Sequence, residues 1–195
     1  MEITTELIKE LRDKTGVSVM QCKKALEETD GDMEKAVLVL QKKSKDIANK
    51  KSDRTLGAGV VASYIHATNT VGSMLELFCE TDFVANNEEF KKLARDIAMH
   101  VTATNPQFLK KEDIDEASVA VAKEMFEKDV DSSKPADVRA KILDGKLSAY
   151  WGERVLLDQP FVKNPDLTIS DLVQSAVQKF GEKMEIGRFI RYSVK

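Results

Sequence analysis

Apolar positions along this chain recur with two periods, and the clearest run is helical. Phe90, Leu93, Ala94, Ile97, Ala98 and Val101 fall at i, i+3, i+4, i+7, i+8 and i+11, a continuous stripe on one helix face. Asn87 can cap the start of that helix, and Asn105-Pro106 stops it. Val60 to Ala67 and Val71 to Cys79 read instead as strands, joined by the turn residues Thr68-Asn69-Thr70. In the second of them Leu75, Leu77 and Cys79 alternate with Glu76, as one buried and one wetter face require. A third candidate strand runs from Ile186 to Val194, where Ile190, Tyr192 and Val194 alternate with Arg191 and Ser193. Two strands alone are unstable, so the C-terminal strand is expected to pair with the hairpin and the helix to cover one face of the sheet.

Residues 3–42 hold three short amphipathic patterns with strong punctuation between them. The first has Thr4 or Thr5 as its cap, apolar Leu7, Ile8 and Leu11, and Gly16 just past its end. The second opens with Ser18 and Gln21, a capping box, and carries Cys22, Ala25 and Leu26. Asp30-Gly31-Asp32 turns the chain, and Asp32 can cap a third helix with Ala36, Val37 and Leu40. The form is similar to that of ubiquitin-associated domains. Lys42-Lys43-Ser44-Lys45 and Lys50-Lys51-Ser52 then flank a segment of low apolar content. Further on, residues 112–150 read as a helical hairpin. Its first arm carries Val119, Ala122 and Phe126. A break follows at Asp131 to Pro135, with Ser133 as a candidate cap. The second arm has Val138 and Ile142 on one side and Leu143, Leu147 and Tyr150 on another, which implies contact with its sibling and with either its own domain or a partner. The expected class is α+β. An N-terminal three-helix, ubiquitin-associated-like bundle spans 1–42 and a connection of undetermined conformation spans 43–55. A core domain over 56–195 holds a three-stranded antiparallel sheet, a covering helix and the hairpin at about 112–150.

Composition narrows the functional classes. The chain has 195 residues, 42% hydrophobic and 32% charged, the balance of a soluble globular protein. A net charge of −3 and a pI near 5.6 argue against direct binding to nucleic acid, which wants a basic patch. No run approaches the roughly 18 apolar residues a membrane span needs. Met1-Glu2-Ile3 leads into the first helical pattern without a leader segment, so a cytoplasmic location is expected. Cys22 and Cys79 sit in patterned apolar positions and read as core thiols. No phosphate-binding glycine loop is present, and His66 and His100 lack metal-ligand spacing. No nucleophile with a base and an orienting group is apparent either. No cofactor, no metal and no bond-making chemistry are therefore expected.

One stretch breaks the usual pattern. Glu80-Thr81-Asp82-Phe83-Val84-Ala85-Asn86-Asn87 joins a strand to the striped helix, where a turn should be polar, yet it carries Phe83 beside Asp82. Leaving a Phe in water forgoes roughly 1.5–3 kcal/mol of burial. Phe83 either tucks under the helix or is kept for a partner. The connection Thr15 to Met20 poses the same choice, since Val19 and Met20 either seal the bundle or form a docking patch.

Thr81-Asp82-Phe83-Val84-Ala85 after a strand resembles the signature of the translation elongation factor Ts family. Other segments agree in order: Arg12, Thr15-Gly16, Met20, Cys22-Lys23-Lys24-Ala25-Leu26 and Gly31-Asp32 at the start, Ile97-Ala98-Met99-His100 and Asn105-Pro106 in the middle, and Gln159-Pro160-Phe161-Val162 and Gly187-Arg188-Phe189-Ile190-Arg191 near the end. The resemblance implies a guanine nucleotide exchange factor that promotes GDP release from the elongation factor Tu GTPase during translation elongation. It implies partner contacts at Arg12, Val19, Met20 and Lys23 from the bundle, at Thr81, Asp82, Phe83 and Val84 from the turn, and at His100. In this picture Asp82 and Phe83 displace elements that hold Mg²⁺ and phosphate. Long family members carry a second core repeat, and this chain has room for one, so a homodimer is expected. Two rival readings are a ubiquitin-binding adaptor, which leaves the Phe83 turn unexplained, and a small enzyme with an unrecognised site.

Overall fold

The punctuation in the first forty residues starts and stops helices where a side chain or a glycine can satisfy the free backbone groups. The computed structural model describes residues 3–131 and 135–194. Thr4 Oγ1 accepts the Leu7 amide and opens α1, Thr5–Thr15, which Gly16 closes at φ +69°. Ser18 precedes α2, Val19–Glu28, but its side chain makes no capping bond, so the expected capping box with Gln21 does not form. Its backbone carbonyl takes the Gln21 and Cys22 amides instead. Asp32 Oδ1 accepts the Lys35 amide at 3.0 Å and opens α3, Met33–Lys50. Leu11, Val17, Cys22, Ala25, Leu26, Ala36 and Leu40 form a small core among these helices.

The third helix runs eighteen residues, through the basic stretch read as a connection. Its second half has its own packing: Ser44 is buried and hydrogen-bonded to Gln178, while Ile47 and Ala48 pack on a second, larger core. The basic side chains lie along the rest of that helix surface, which explains a polar composition without a break in the backbone.

The larger core is built on a three-stranded antiparallel sheet. Strands β1, Ala58–Ile65, and β2, Val71–Cys79, form the expected hairpin, with Asn69 at φ +55° in its turn. Strand β5, Glu185–Ser193, pairs antiparallel with β2, so the order is β1-β2-β5. Leu75, Leu77 and Cys79 are buried, as their alternation with Glu76 requires. The alternation in β5 faces the other way: Ile190, Tyr192 and Val194 are exposed, while Arg191 reaches inward and donates from Nε to the Thr102 carbonyl. A register shift opposite Leu75 to Leu77 puts Ile186 and Phe189, at odd spacing, against the core and changes the parity of all that follows.

After a single-turn helix α4, Asp82–Ala85, helix α5, Glu88–Thr104, covers the inner face of the sheet. Asn87 Oδ1 accepts the Glu89 amide, and Asn105 at φ +51° ends the helix. Helices α6, Glu116–Lys128, and α7, Ala136–Gly152, form the hairpin, held by an edge-to-face contact between Phe126 and Tyr150. Pro135 immediately precedes α7; Ser133, the candidate cap, lies outside the described residues. Two features go beyond the expectations above. A short hairpin pairs β3, Pro160–Phe161, with β4, Asn164–Thr168. Helix α8, Ile169–Phe180, follows, opened by a reciprocal Thr168–Asp171 capping box and closed by Gly181. It buries Ile169, Val173, Ala176 and Val177 against the core and packs on α3.

Candidate functional site

Strand β2 ends at the buried Cys79, and the next residues leave the sheet over its rim. Thr81 is extended, with φ −128° and ψ 153°, and its Oγ1 accepts the Val84 amide at 3.4 Å to start α4. One helical turn then sorts the side chains by direction. Val84 and Ala85 face the core, with Val84 only 3% exposed, while Asp82 and Phe83 face solvent. Phe83 is 85% exposed, so of the two readings open at the sequence level the ring is not tucked under the helix.

The turn is braced from outside by two carboxylates that cross between loops. Glu182, just after α8, accepts the Glu80 amide at 3.1 Å and the Thr81 amide at 3.0 Å through Oε2, and the Thr81 hydroxyl at 2.6 Å through Oε1. Glu80 answers in the opposite direction, accepting the Lys183 amide and lying 3.2 Å from the Arg54 guanidinium. The Lys183 amide first, and Arg54 after it, hold the Glu80 carboxyl below its ordinary range. Lys51, at the end of α3, donates to the Gly181 carbonyl at 2.6 Å. These bracing residues carry no signal in any local pattern, because their partners lie 102 and 130 residues away.

A second group of candidates lies on the N-terminal bundle. Val17 seals the connection between α1 and α2, whereas Val19 is 50% and Met20 65% exposed. Arg12, in the last turn of α1, and Lys23, on α2, are exposed, with Lys23 3.8 Å from Glu27. These four residues thus share the end of the bundle where α1 passes into α2, apart from the Phe83 turn.

His100 has a different place from the one expected. It is completely buried, and both ring nitrogens are used within the chain. Nδ1 accepts the Val162 amide at 3.3 Å, which leaves the ring proton on Nε2, 2.8 Å from Gln159 Oε1. Gln159 is in turn held by the Thr104 hydroxyl at 2.8 Å and donates to the Glu153 carbonyl at 2.6 Å. Burial pushes His100 below its ordinary value, favouring this neutral ring. In this arrangement His100 offers no surface to a partner and instead ties α5 to the Gln159–Val162 segment. Val84 is similarly withdrawn.

The outer face of the sheet is a third surface. Val61, Ile65, Met74, Phe78, Ile190 and Tyr192 are exposed there, around an ion pair between Glu76 and Arg188. Among the described residues no group of three His, Cys, Asp or Glu is placed to hold a metal ion, and no helix is long and apolar enough to cross a membrane.

Comparison with known proteins covers the whole of this architecture. The family model described as Elongation factor TS matches residues 4–195. An elongation factor Ts of Thermodesulfovibrio yellowstonii is 47% identical over 194 residues, covering 100% of this chain and 97% of that protein. One of Desulfotalea psychrophila is 47% identical over 195 residues, covering 100% and 99%. One of Carboxydothermus hydrogenoformans is 43% identical over 193 residues, covering 98% and 89%.

Proposed function

This chain belongs to the elongation factor Ts family, and from that premise we propose that it promotes GDP release from the elongation factor Tu GTPase by wedging open the nucleotide site. The observation that carries the reading is Phe83: a large ring, 85% exposed, on a turn whose next two residues are anchored in the core. Arg12, Val19, Met20 and Lys23 grip the GTPase from the bundle. Thr81 starts the turn, Val84 anchors it, and Asp82 and Phe83 enter beside the Mg²⁺ and phosphate positions, displacing the elements that hold them. The factor itself makes and breaks no covalent bond. His100 contributes from inside, by holding the Gln159–Val162 segment on α5.

Linkage sets the terms of such a reaction. Whatever affinity the factor removes from GDP, GDP removes from the factor. A buried aromatic hot spot is worth about 2–4 kcal/mol, and each 1.4 kcal/mol is tenfold in affinity. One ring therefore supplies part of a large acceleration, and the grip of the bundle and the disturbed ion site supply the remainder. The test is release of a fluorescent GDP from elongation factor Tu. Phe83→Ala should slow catalysed release by about tens of fold, on that same scale, with the circular dichroism of the variant unchanged. An unchanged rate removes the wedge.

The exposed apolar face of the sheet supports a second part of the proposal, that two copies of the chain pair. Contiguous exposed apolar residues on one sheet face mark an interaction surface, and a partner sheet would cover them.

A further inference from the structure

We propose that Glu182 is a positioning residue for nucleotide exchange, acting through Thr81 to preset the direction of Phe83. The proposal rests on the wedge reading above and adds to it how the wedge is held ready before the partner arrives.

Helix α4 has four residues, too few to stand as a helix unaided, because the first turn fixes several dihedrals for one hydrogen bond. Its orientation has to come from contacts at its ends. At the far end Val84 and Ala85 are buried, and before the turn the buried Cys79 donates from Sγ to the Thr81 carbonyl at 3.3 Å, which fixes where the turn begins and lands but leaves the Thr81 side chain free to choose its rotamer. Glu182 removes this freedom. Its three accepted bonds take both backbone amides that precede α4 and the Thr81 hydroxyl proton. With its proton committed to Glu182 Oε1, Thr81 Oγ1 is left as an acceptor and points a lone pair at the Val84 amide. One carboxylate thus selects the Thr81 rotamer, the rotamer starts the turn, and the turn aims Phe83.

Glu182 is itself held. It follows Gly181, whose φ of +74° turns the chain sharply at the end of α8, and Lys51 of the α3 end grips the Gly181 carbonyl. Glu80 returns the contact to the Lys183 amide and to Arg54. The end of α3, the Phe83 turn and the α8–β5 loop therefore meet at one junction of complementary carboxylates, amides and cations. An ordinary exposed ion pair contributes little. Here the carboxylates accept directed backbone bonds, which specify geometry as well as attraction.

The experiment is a double-mutant cycle on the full chain, read by stopped-flow release of fluorescent GDP from elongation factor Tu at increasing factor concentration. Glu182→Ala should lower the saturating rate by about tenfold, the size of one lost charge-assisted contact, with little change in the half-saturating concentration set by the bundle. Placed on Phe83→Ala it should add little, because its effect passes through that ring. Glu182→Gln keeps an oxygen for the two amides and turns its NH2 to donate to Thr81 Oγ1, whose second lone pair still takes the Val84 amide, so it should restore most of the rate. In the free protein, amide hydrogen exchange at Val84 should speed up in Glu182→Ala and not in Glu182→Gln. Equal, additive losses from Glu182→Ala with and without Phe83 overturn the proposal, as does an unchanged Val84 exchange rate. If Phe83→Ala alone leaves release unchanged, it is the wedge reading that fails, while Val84 exchange still reports whether Glu182 holds the turn.

Discussion

Phe83 and His100 show how differently two residues of one motif-bearing region can serve a surface. The ring of Phe83 stands in water beside a carboxylate, at a cost that its own fold does not recover. His100, on the covered side of α5, does its work without touching solvent. Its neutral form is the one the fold accommodates, since a proton on Nδ1 would face the Val162 amide. Burial lowers the folded value below the ordinary 6.5, so below pH 6.5 the unfolded chain takes up a proton that the folded one resists. The stability this group contributes is complete above pH 6.5 and is lost as the pH falls through that value toward the folded one. Thermal melts between pH 7.5 and 5.5 should show a decline in wild type that is shallower in His100→Gln. Parallel pH profiles would exclude His100 as its source.

Among the elements, β5 carries the most weight for its size, because it completes the sheet on which β2 and the Phe83 turn depend. A chain ending at Gly187 loses the pairings from Leu75↔Phe189 to Val71↔Ser193 and keeps only Leu77↔Ile186 and Phe78↔Glu185, so most of the hairpin is left as a two-stranded ribbon. Losing several kcal/mol, at about 2–4 °C each for a chain of this size, should lower the melting temperature by about 10 °C. Calorimetry showing an unchanged transition would mean that β5 merely decorates the hairpin. The same strand marks where sequence legibility stops. Helix α5 and the β1–β2 hairpin were readable because their periods, caps and turn residues are local. The existence of β5 was readable too, but not its buried face, since the register shift that inverts it arises only from pairing with β2. Strand β3 has two residues and no period to read. In the site, the exposure of Phe83 was one of two readings the sequence left open. The Glu182–Thr81 brace was invisible, because no window along the chain includes both ends. Helix α8 is a different case, since its stripe and capping box are local signals.

For the molecule as a whole, the unpaired sheet face and the N-terminal bundle pose questions of assembly. If two chains pair through the sheet, the Glu76–Arg188 contact becomes covered. The guanidinium donates from both Nε and Nη2 to the Glu76 carboxylate, so the two charges would enter such an interface already paired. Tyr192→Glu places an unmatched charge on the face and should convert the pair to single chains in sedimentation. A wild-type protein that sediments as one chain at micromolar concentration would dispose of the dimer.

Helix α3 belongs to both cores, and its eighteen residues make a rod about 27 Å long. A rod has a fixed span, and the patch around Met20 and the ring of Phe83 stand on bodies that it joins. Under the proposed docking the molecule works as a calliper, accepting a GTPase only where two features lie at the right separation. A length change in that rod would spoil the fit without altering either tip.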